Sequence, residues 1–337
     1  MSLLERNRYL LAQPFSKNVE TYVCPISKSK NEVSDGLKIA GGWRFFNELR
    51  VIQKKENVFS ESIMTPLKLI EEAKNESKEA LQEAENVIDS ITNKRLSFSN
   101  LNMSQPHIMG IINSTPDSFY KKSRSTNSSF AIKKSNQMIS DGASIIDIGG
   151  ESSRPGAKKI SIEEEMQRVI PSIIDFKKNN LVTQISLDTR NLPTMKLGLE
   201  SGVDIINDIS GFADHNKIKF VSKYNLPVII MHMQNEPNNM QIEPKYSFAP
   251  IDIYKILSKR VNLLIQMGVN KSNIVVDPGI GFGKNIYHNL EILRNVSLFH
   301  SLGVPILIGL SRKTFIHEVV VKGYKYEGIT KRSISPT

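Results

Sequence analysis

Residues 144–156, SIIDIGGESSRPG, constrain the fold of this chain more than any other stretch. An apolar run of Ile145, Ile146 and Ile148 encloses one charge, Asp147, and stops at Gly149-Gly150. Glu151, Ser152, Ser153 and Arg154 follow, and Pro155-Gly156 close the turn. A buried strand that ends in glycines and a polar loop is the βα unit of an α/β enzyme. Chemistry is then expected at the strand's C-terminal end.

From His107 onward the same unit recurs with different loop residues. Apolar runs are expected as strands at 108–112, 144–149, 184–187, 204–206, 227–231, 273–276 and 304–308. Ser161 and Glu164 predict a capping box ahead of one helix, and Pro193 sits early in another. Strands alternating with helices imply a parallel sheet, which right-handed crossovers can wind into a closed barrel.

The ends of these runs carry the candidate chemistry. Asn113, Asp188, Asn207 and Asp277 each follow directly on an apolar run, and Ser311-Arg312-Lys313 follow the last one. One aspartate at a strand end is commonplace, because aspartate also caps the next helix. Four carboxamide or carboxylate strand ends converge on one cavity if the sheet closes. Asp and Asn together match a ligand edge bearing both donors and acceptors, such as an aminopyrimidinone. Arg154, Lys284 and Lys313 add positive charge for an anionic portion. The run from Asp277 to Lys284, DPGIGFGK, has the glycines of an anion-cradling loop but not the Walker spacing.

Residues 1–105 differ in style. Residues 21–26 and 37–52 read as strands, the second interrupted by Gly41-Gly42. Thr65-Pro66 opens a helix expected over 65–94, with an apolar face of Leu67, Ile70, Leu81, Ala84, Ile88 and Ile91. Like-charge pairs such as Glu72–Glu76 and Lys74–Lys78 make it a helix that depends on packing. Trp43, Phe45 and Phe46 read as a small core. The division expected is an α+β extension over 1–105 and a barrel over 106–337.

The balance of 44 Lys+Arg against 34 Asp+Glu gives +10, spread through the chain without aromatic interleaving. Anionic small molecules fit that pattern better than nucleic acid. Cys24 is alone, so neither a disulfide framework nor a cysteine metal site is expected, and the six histidines lack metal-ligand spacing. No apolar run approaches the ~18 residues of a membrane span, and no secretion signal is evident. A reducing cytoplasm is the expected setting.

Seven segments, MGIINSTPDSF, IIDIGGESSRPGA, SLDT, IINDIS, PVIIMHMQNEP, VVDPGIGFGKN and LIGLSRKTFI, resemble in order the motifs of the dihydropteroate synthase family. The resemblance implies a TIM (β/α)8-type barrel that condenses hydroxymethyl-dihydropterin pyrophosphate with para-aminobenzoate, assisted by Mg²⁺. It implies pterin contacts at Asp188, Asn207, Asp277, Lys313 and Met231, with Asp277, Lys313 and Asp188 in catalysis. It places Ser153, Arg154, Pro155, Phe119, Ser311 and Arg312 on the pyrophosphate or para-aminobenzoate side, and Asn113 on the metal. A homodimer is a further implication. The chain departs from the family at Ser114 and at Tyr120-Lys121-Lys122-Ser123, where an Asp-Gly-Gly-like segment is usual. It also stops at Thr337, before the strand that carries an Arg-x-His pair. The barrel is therefore expected to lack its eighth strand and helix. Two other readings stay open: a methyltetrahydrofolate–corrinoid methyltransferase relative, and a truncated barrel that binds pterin without turnover.

Overall fold

The computed structural model describes residues 10–29, 35–56, 58–114, 124–152, 156–157, 159–181 and 183–322. It divides into two compact units. The first comprises Met1–Leu96, Asn102–Gln105 and Leu293–Ile306; the second comprises Ser97–Leu101, Pro106–Ile292 and Leu307–Thr337.

The first unit is an antiparallel sheet with two helices. β1 (Glu20–Ser29) pairs with β3 (Phe45–Lys55), which also pairs with β2 (Leu37–Lys38) and β4 (Val58–Met64). Phe46, Leu49 and Val51 of β3 join Val23, Met64, Leu69, Ala73, Ala84 and Ile91 in one core. Gln53 is fully buried, and its carboxamide is matched by backbone: it accepts from Leu11 N and donates to Ala12 O. That pairing removes the cost of an unpartnered buried amide.

The interruption expected at Gly41-Gly42 is present and separates β2 from β3: Gly41 turns at φ +63°, where a Cβ would lie 2.7 Å from Lys94. Other expectations in this unit are corrected. β4 was not anticipated, since its Ser60-Glu61-Ser62 centre reads as polar. Trp43 does not join the core: it is exposed beneath Arg44, while Phe46 alone of the three aromatics is fully buried. The single helix over 65–94 is two, α1 (Pro66–Glu76) and α2 (Lys78–Thr92), joined by the extended residue Ser77. The Ser77 N–H closes α1 on Ala73 O, and its hydroxyl caps α2 by accepting from Ala80 N at 3.0 Å. The Lys74–Lys78 repulsion therefore falls across the break.

The second unit is a six-stranded parallel sheet in the order β10-β9-β8-β7-β6-β5. The strands are β5 (Ile108–Asn113), β6 (Ala143–Gly149), β7 (Gln184–Asp188), β8 (Ile205–Asp208), β9 (Val228–Met231) and β10 (Ile274–Asp277). Helices α3 (Arg124–Ser140), α4 (Ile162–Lys178), α5 (Leu192–Glu200), α6 (His215–Lys223) and α7 (Ala249–Gln266) alternate with them. α8 (Ile286–Arg294) and α9 (Thr314–Lys322) follow β10. Central strands such as β9 are buried throughout, as a sheet covered on both faces requires. Ser161 caps α4 by accepting from Glu164 N at 3.1 Å. The Glu164 side chain turns instead to Arg168, so only half of the expected capping box forms.

The strand expected over 304–308 does not form. Pro305 has no N–H to give a ladder, and only Leu307 N donates to Val276 O on β10, at 2.8 Å. β5 is an edge of the described sheet, with Ile108 and Ile111 exposed.

Replacing Ser77 by Ala removes the hydroxyl that starts α2. Urea unfolding is expected to show a loss of about 1 kcal/mol, and a Ser77→Thr variant is expected to recover most of it.

Candidate active site

Register places the polar strand ends. Asn113 pairs with Gly149, Gly149 with Asp188, and Asp188 with Asn207, in one row across β5 to β8. Asn207 pairs with Ile229, two residues before Met231, and Met231 pairs with Asp277. Side chains alternate along a strand, so positions in register or two apart share a face. Asn113, Asp147, Asp188, Asn207, Met231 and Asp277 therefore project from the same side of the sheet. Gly149 keeps the row open: a Cβ there would lie 3.3 Å from an Asp188 carboxylate oxygen and 3.7 Å from Asn113 Oδ1.

Asp147 is the member that sequence reasoning noted without giving it a role. It is buried, accepts from Ser186 Oγ at 2.6 Å, and takes a longer contact from Asn207 Nδ2 at 3.3 Å. Burial pushes its carboxyl up to about 6, while those two donors pull the other way. The signal was a charge inside an isoleucine run. Asp188 is also pushed well above the ordinary carboxylate range, first by desolvation and then by the negative charge of Asp147. Asn207 is thereby oriented by Asp147.

Asp277 is 7% exposed and opens the glycine loop. Its carboxylate accepts from Gly279 N at 2.7 Å, and burial raises it to about 6 against the opposing pull of Lys313 and Lys284. Gly279 has φ +69°, and a Cβ there would meet His232 O at 1.9 Å, so only glycine fits. Gly281 leaves room for the Lys313 stem, 3.1 Å from the position of a Cβ. The Lys313 ammonium stands over the Phe282 ring at 4.1 Å, and burial lowers its pKa. Lys313 thus lies near enough to Asp277 for each charge to act on the other.

The other expected residues fall in different places. Ser311 and Arg312 are exposed in the turn before α9, with Arg312 at φ +55°. Phe119, Ser153, Arg154 and Pro155 lie outside the described residues, as does the 120–123 segment. A small cleft borders Asp188, between Glu151, Ser152, Arg190, Ile209 and Pro237. Arg190 holds Glu151 by two hydrogen bonds of 3.1 Å and reaches Glu236 at 3.7 Å. Gly156 N donates to Pro237 O at 3.2 Å, so the ends of the loops after β6 and β9 are joined. Glu165 of α4 is buried and accepts from Thr189 Oγ1 at 2.8 Å and Asn191 Nδ2 at 3.0 Å, fixing the turn after Asp188. Sequence spacing gave no hint of these partners; Glu165 and Thr189 lie 24 residues apart, and Glu151 and Arg190 lie 39 apart.

Asp208 belongs to the opposite face and has a structural task. It is fully buried and paired with Lys217 at 2.7 Å, and the same ammonium donates to Arg190 O and Ser210 Oγ. Asp208 also accepts from Ser210 N and Phe212 N. Among the described residues no group of three His, Cys, Asp or Glu is arranged to hold a metal. Nor is any described helix long and apolar enough to cross a membrane.

Comparison with known proteins gives the arrangement a family context. The family model described as "Pterin binding enzyme" matches residues 109–334. The dihydropteroate synthase of Haemophilus influenzae is 40% identical over 222 residues, which is 66% of this chain and 80% of that protein. Among solved structures, Yersinia pestis dihydropteroate synthase with a sulfonamide drug complex aligns at TM-score 0.62 and 36% identity, covering 67% of this chain and 82% of that one. Xanthomonas albilineans dihydropteroate synthase with 4-aminobenzoic acid aligns at TM-score 0.61 and 33% identity, covering 69% and 82%.

Substituting Lys217 by Met strands the Asp208 carboxylate without its cation. Chemical denaturation is expected to show a loss of about 3–5 kcal/mol. A loss under about 1 kcal/mol would overturn the structural task given to the Asp208–Lys217 pair.

Proposed function

The chain belongs to the dihydropteroate synthases of the pterin-binding enzyme family, and on that basis we propose how its residues carry the reaction. The enzyme is a transferase that joins 6-hydroxymethyl-7,8-dihydropterin pyrophosphate to para-aminobenzoate, giving dihydropteroate and pyrophosphate. The single observation that carries the residue assignment is the shared face of Asn113, Asp188, Asn207, Met231 and Asp277, with Lys313 brought beside Asp277. The six parallel strands are read as the described part of a TIM-type barrel with this face turned inward.

In this reading the pterin lies along that face. Asp188 and Asn207 meet its aminopyrimidinone edge, acceptor to donor and donor to acceptor, and Met231 gives an apolar contact. Asp277 takes the side nearest the methylene carbon, with Lys313 close by. When the carbon–oxygen bond to pyrophosphate breaks, positive charge develops at that methylene and negative charge on the departing oxygens. A buried carboxylate at Asp277, seconded by Asp188, stabilises the former. The para-aminobenzoate amine then forms the new carbon–nitrogen bond and loses a proton. No covalent enzyme intermediate is required. Ser153, Arg154, Pro155, Phe119, Ser311 and Arg312 are assigned to para-aminobenzoate and the anion.

Mg²⁺ fits the residues present. Asn113 offers one exposed carboxamide oxygen at the end of β5, beside Asp188 across Gly149. A magnesium ion needs only one or two protein oxygens when phosphate and water complete its shell. When bound it would offset charge on the departing pyrophosphate. A cytoplasmic setting and a homodimer complete the reading. The exposed Ile256 and Ile265 on α7 offer apolar surface for a second copy.

A coupled assay of pyrophosphate release with dihydropteroate detection tests the activity. Methyl transfer from methyltetrahydrofolate to a corrinoid, with no dihydropteroate formed, would overturn it. Asp188→Ala is expected to weaken pterin-pyrophosphate binding by about 1–3 kcal/mol, because the ligand's donors lose their acceptor. Lys313→Ala is expected to weaken it as well, and unchanged affinity would remove Lys313 from the site.

The pH dependence follows from Asp277. Its raised pKa means that the anion is present only above about 6, so kcat/KM is expected to fall as pH drops through that value. In Asp277→Asn that limb is expected to shift, leaving the one set by Asp188, whose carboxyl is also pushed up.

A further inference from the structure

We propose that Lys284 is a positioning residue for this reaction: its ammonium ties the glycine loop to the end of β9 and supplies charge that keeps Asp277 an anion. The meaning of Asp277 rests on the activity proposed above; the arrangement around Lys284 stands on geometry alone.

Lys284 is 2% exposed. Its ammonium meets His232 Nδ1 at 3.0 Å, His232 O at 3.3 Å and Phe282 O at 2.7 Å. Three donors and three acceptors leave no proton over. None of the acceptors is a carboxylate, so the positive charge is solvated entirely by dipoles. Such a buried cation costs more than a neutral strut making the same contacts. Its field therefore acts on the nearest anion. That anion is Asp277, reached across Gly279, where a Cβ would stand 3.3 Å from Lys284 Nζ.

Each acceptor has a consequence at the site. His232 N donates to Asp277 O at 3.0 Å, so the bond to His232 O grips the strand end that carries Asp277. Phe282 O belongs to the residue whose ring lies under the Lys313 ammonium. When Lys284 is protonated, the contact makes Nδ1 the acceptor and places the imidazole proton on Nε2. His232 is accordingly held neutral, pushed down to about 2 by burial and by the Lys284 charge.

Asp277, Lys313, His232 and His288 are the ionisable groups that interact with Lys284. The Tyr246 phenol packs against both histidine rings and donates to Gly283 O. Of these groups only Asp277 is negative. Burial lowers Lys284 to about 7, and Asp277 holds it from falling further. The sign for Asp277 is then fixed. Both nearby cations lower its pKa, so discharging Lys284 leaves Lys313 alone and lets the carboxyl rise further above about 6.

The test is a titration of the ligand-free protein labelled with carboxyl-13C aspartate, with the Asp277 resonance assigned by its loss in Asp277→Asn. Wild type, Lys284→Arg, Lys284→Gln and Lys284→Met are compared. The Asp277 midpoint is expected to move up by roughly one pH unit in the two neutral variants and to stay near wild type in the Arg variant. The acidic limb of kcat/KM is expected to move with it. A common midpoint in all four proteins overturns the proposal. So does unfolding of both neutral variants with the Arg variant intact, which would make Lys284 a structural strut only. A wild-type protein that forms no dihydropteroate sinks the activity assignment instead, and the ligand-free titration is read independently of it.

Discussion

The parallel register of β5 to β8 is the constraint on which the site depends. A shift of one residue in any pairing would turn Asn113, Asp188 or Asn207 to the helix-covered face. There each would be a buried polar group without its partner. The apolar runs resist that shift, because the same slip would expose Ile146, Ile148, Ile185 and Leu187, all now buried. Core packing and active-site geometry are thus set by one register. Gly149 belongs to the same constraint, since any side chain there would crowd Asn113 and Asp188.

Charge on this sheet is divided by face. On one side Asp208 and Lys217 neutralise each other at 2.7 Å and also bond Ser210, Phe212 N and Arg190 O. On the other side Asp147, Asp188 and Asp277 are incompletely paired, and all three are shifted up by burial. Buried carboxylates without a directly paired cation lower stability, and their concentration on a single face marks it as a candidate functional site. Lys284 and Lys313 moderate that cost at Asp277 without forming a direct ion pair that would cancel it.

A second layer holds the loops. Arg190 spans Glu151 and Glu236, Glu165 collects Thr189 and Asn191, and Lys284 collects His232 and Phe282. In each case a long side chain from one βα unit secures the turn of another. The Lys284 bonds to His232 O and Phe282 O use backbone carbonyls, which carry no residue signature.

The residues by themselves determined the alternation of strand and helix after His107 and the six parallel strands to within a residue or two. They also determined which strand ends carry polar groups. Hydrophobic periodicity and glycine breaks are local signals, and local signals survive in one dimension. Tertiary structure decided what depended on partners distant in the chain. Asp147 became part of the site through Ser186 and Asn207, and Lys284 through His232. Ser77 split one expected helix because its hydroxyl served α2 while its N–H closed α1. Residues 304–308 failed as a strand because Pro305 has no N–H to offer, whatever the hydrophobicity around it. Polar groups select their partners by distance and direction in space, and those exist only once the chain has folded.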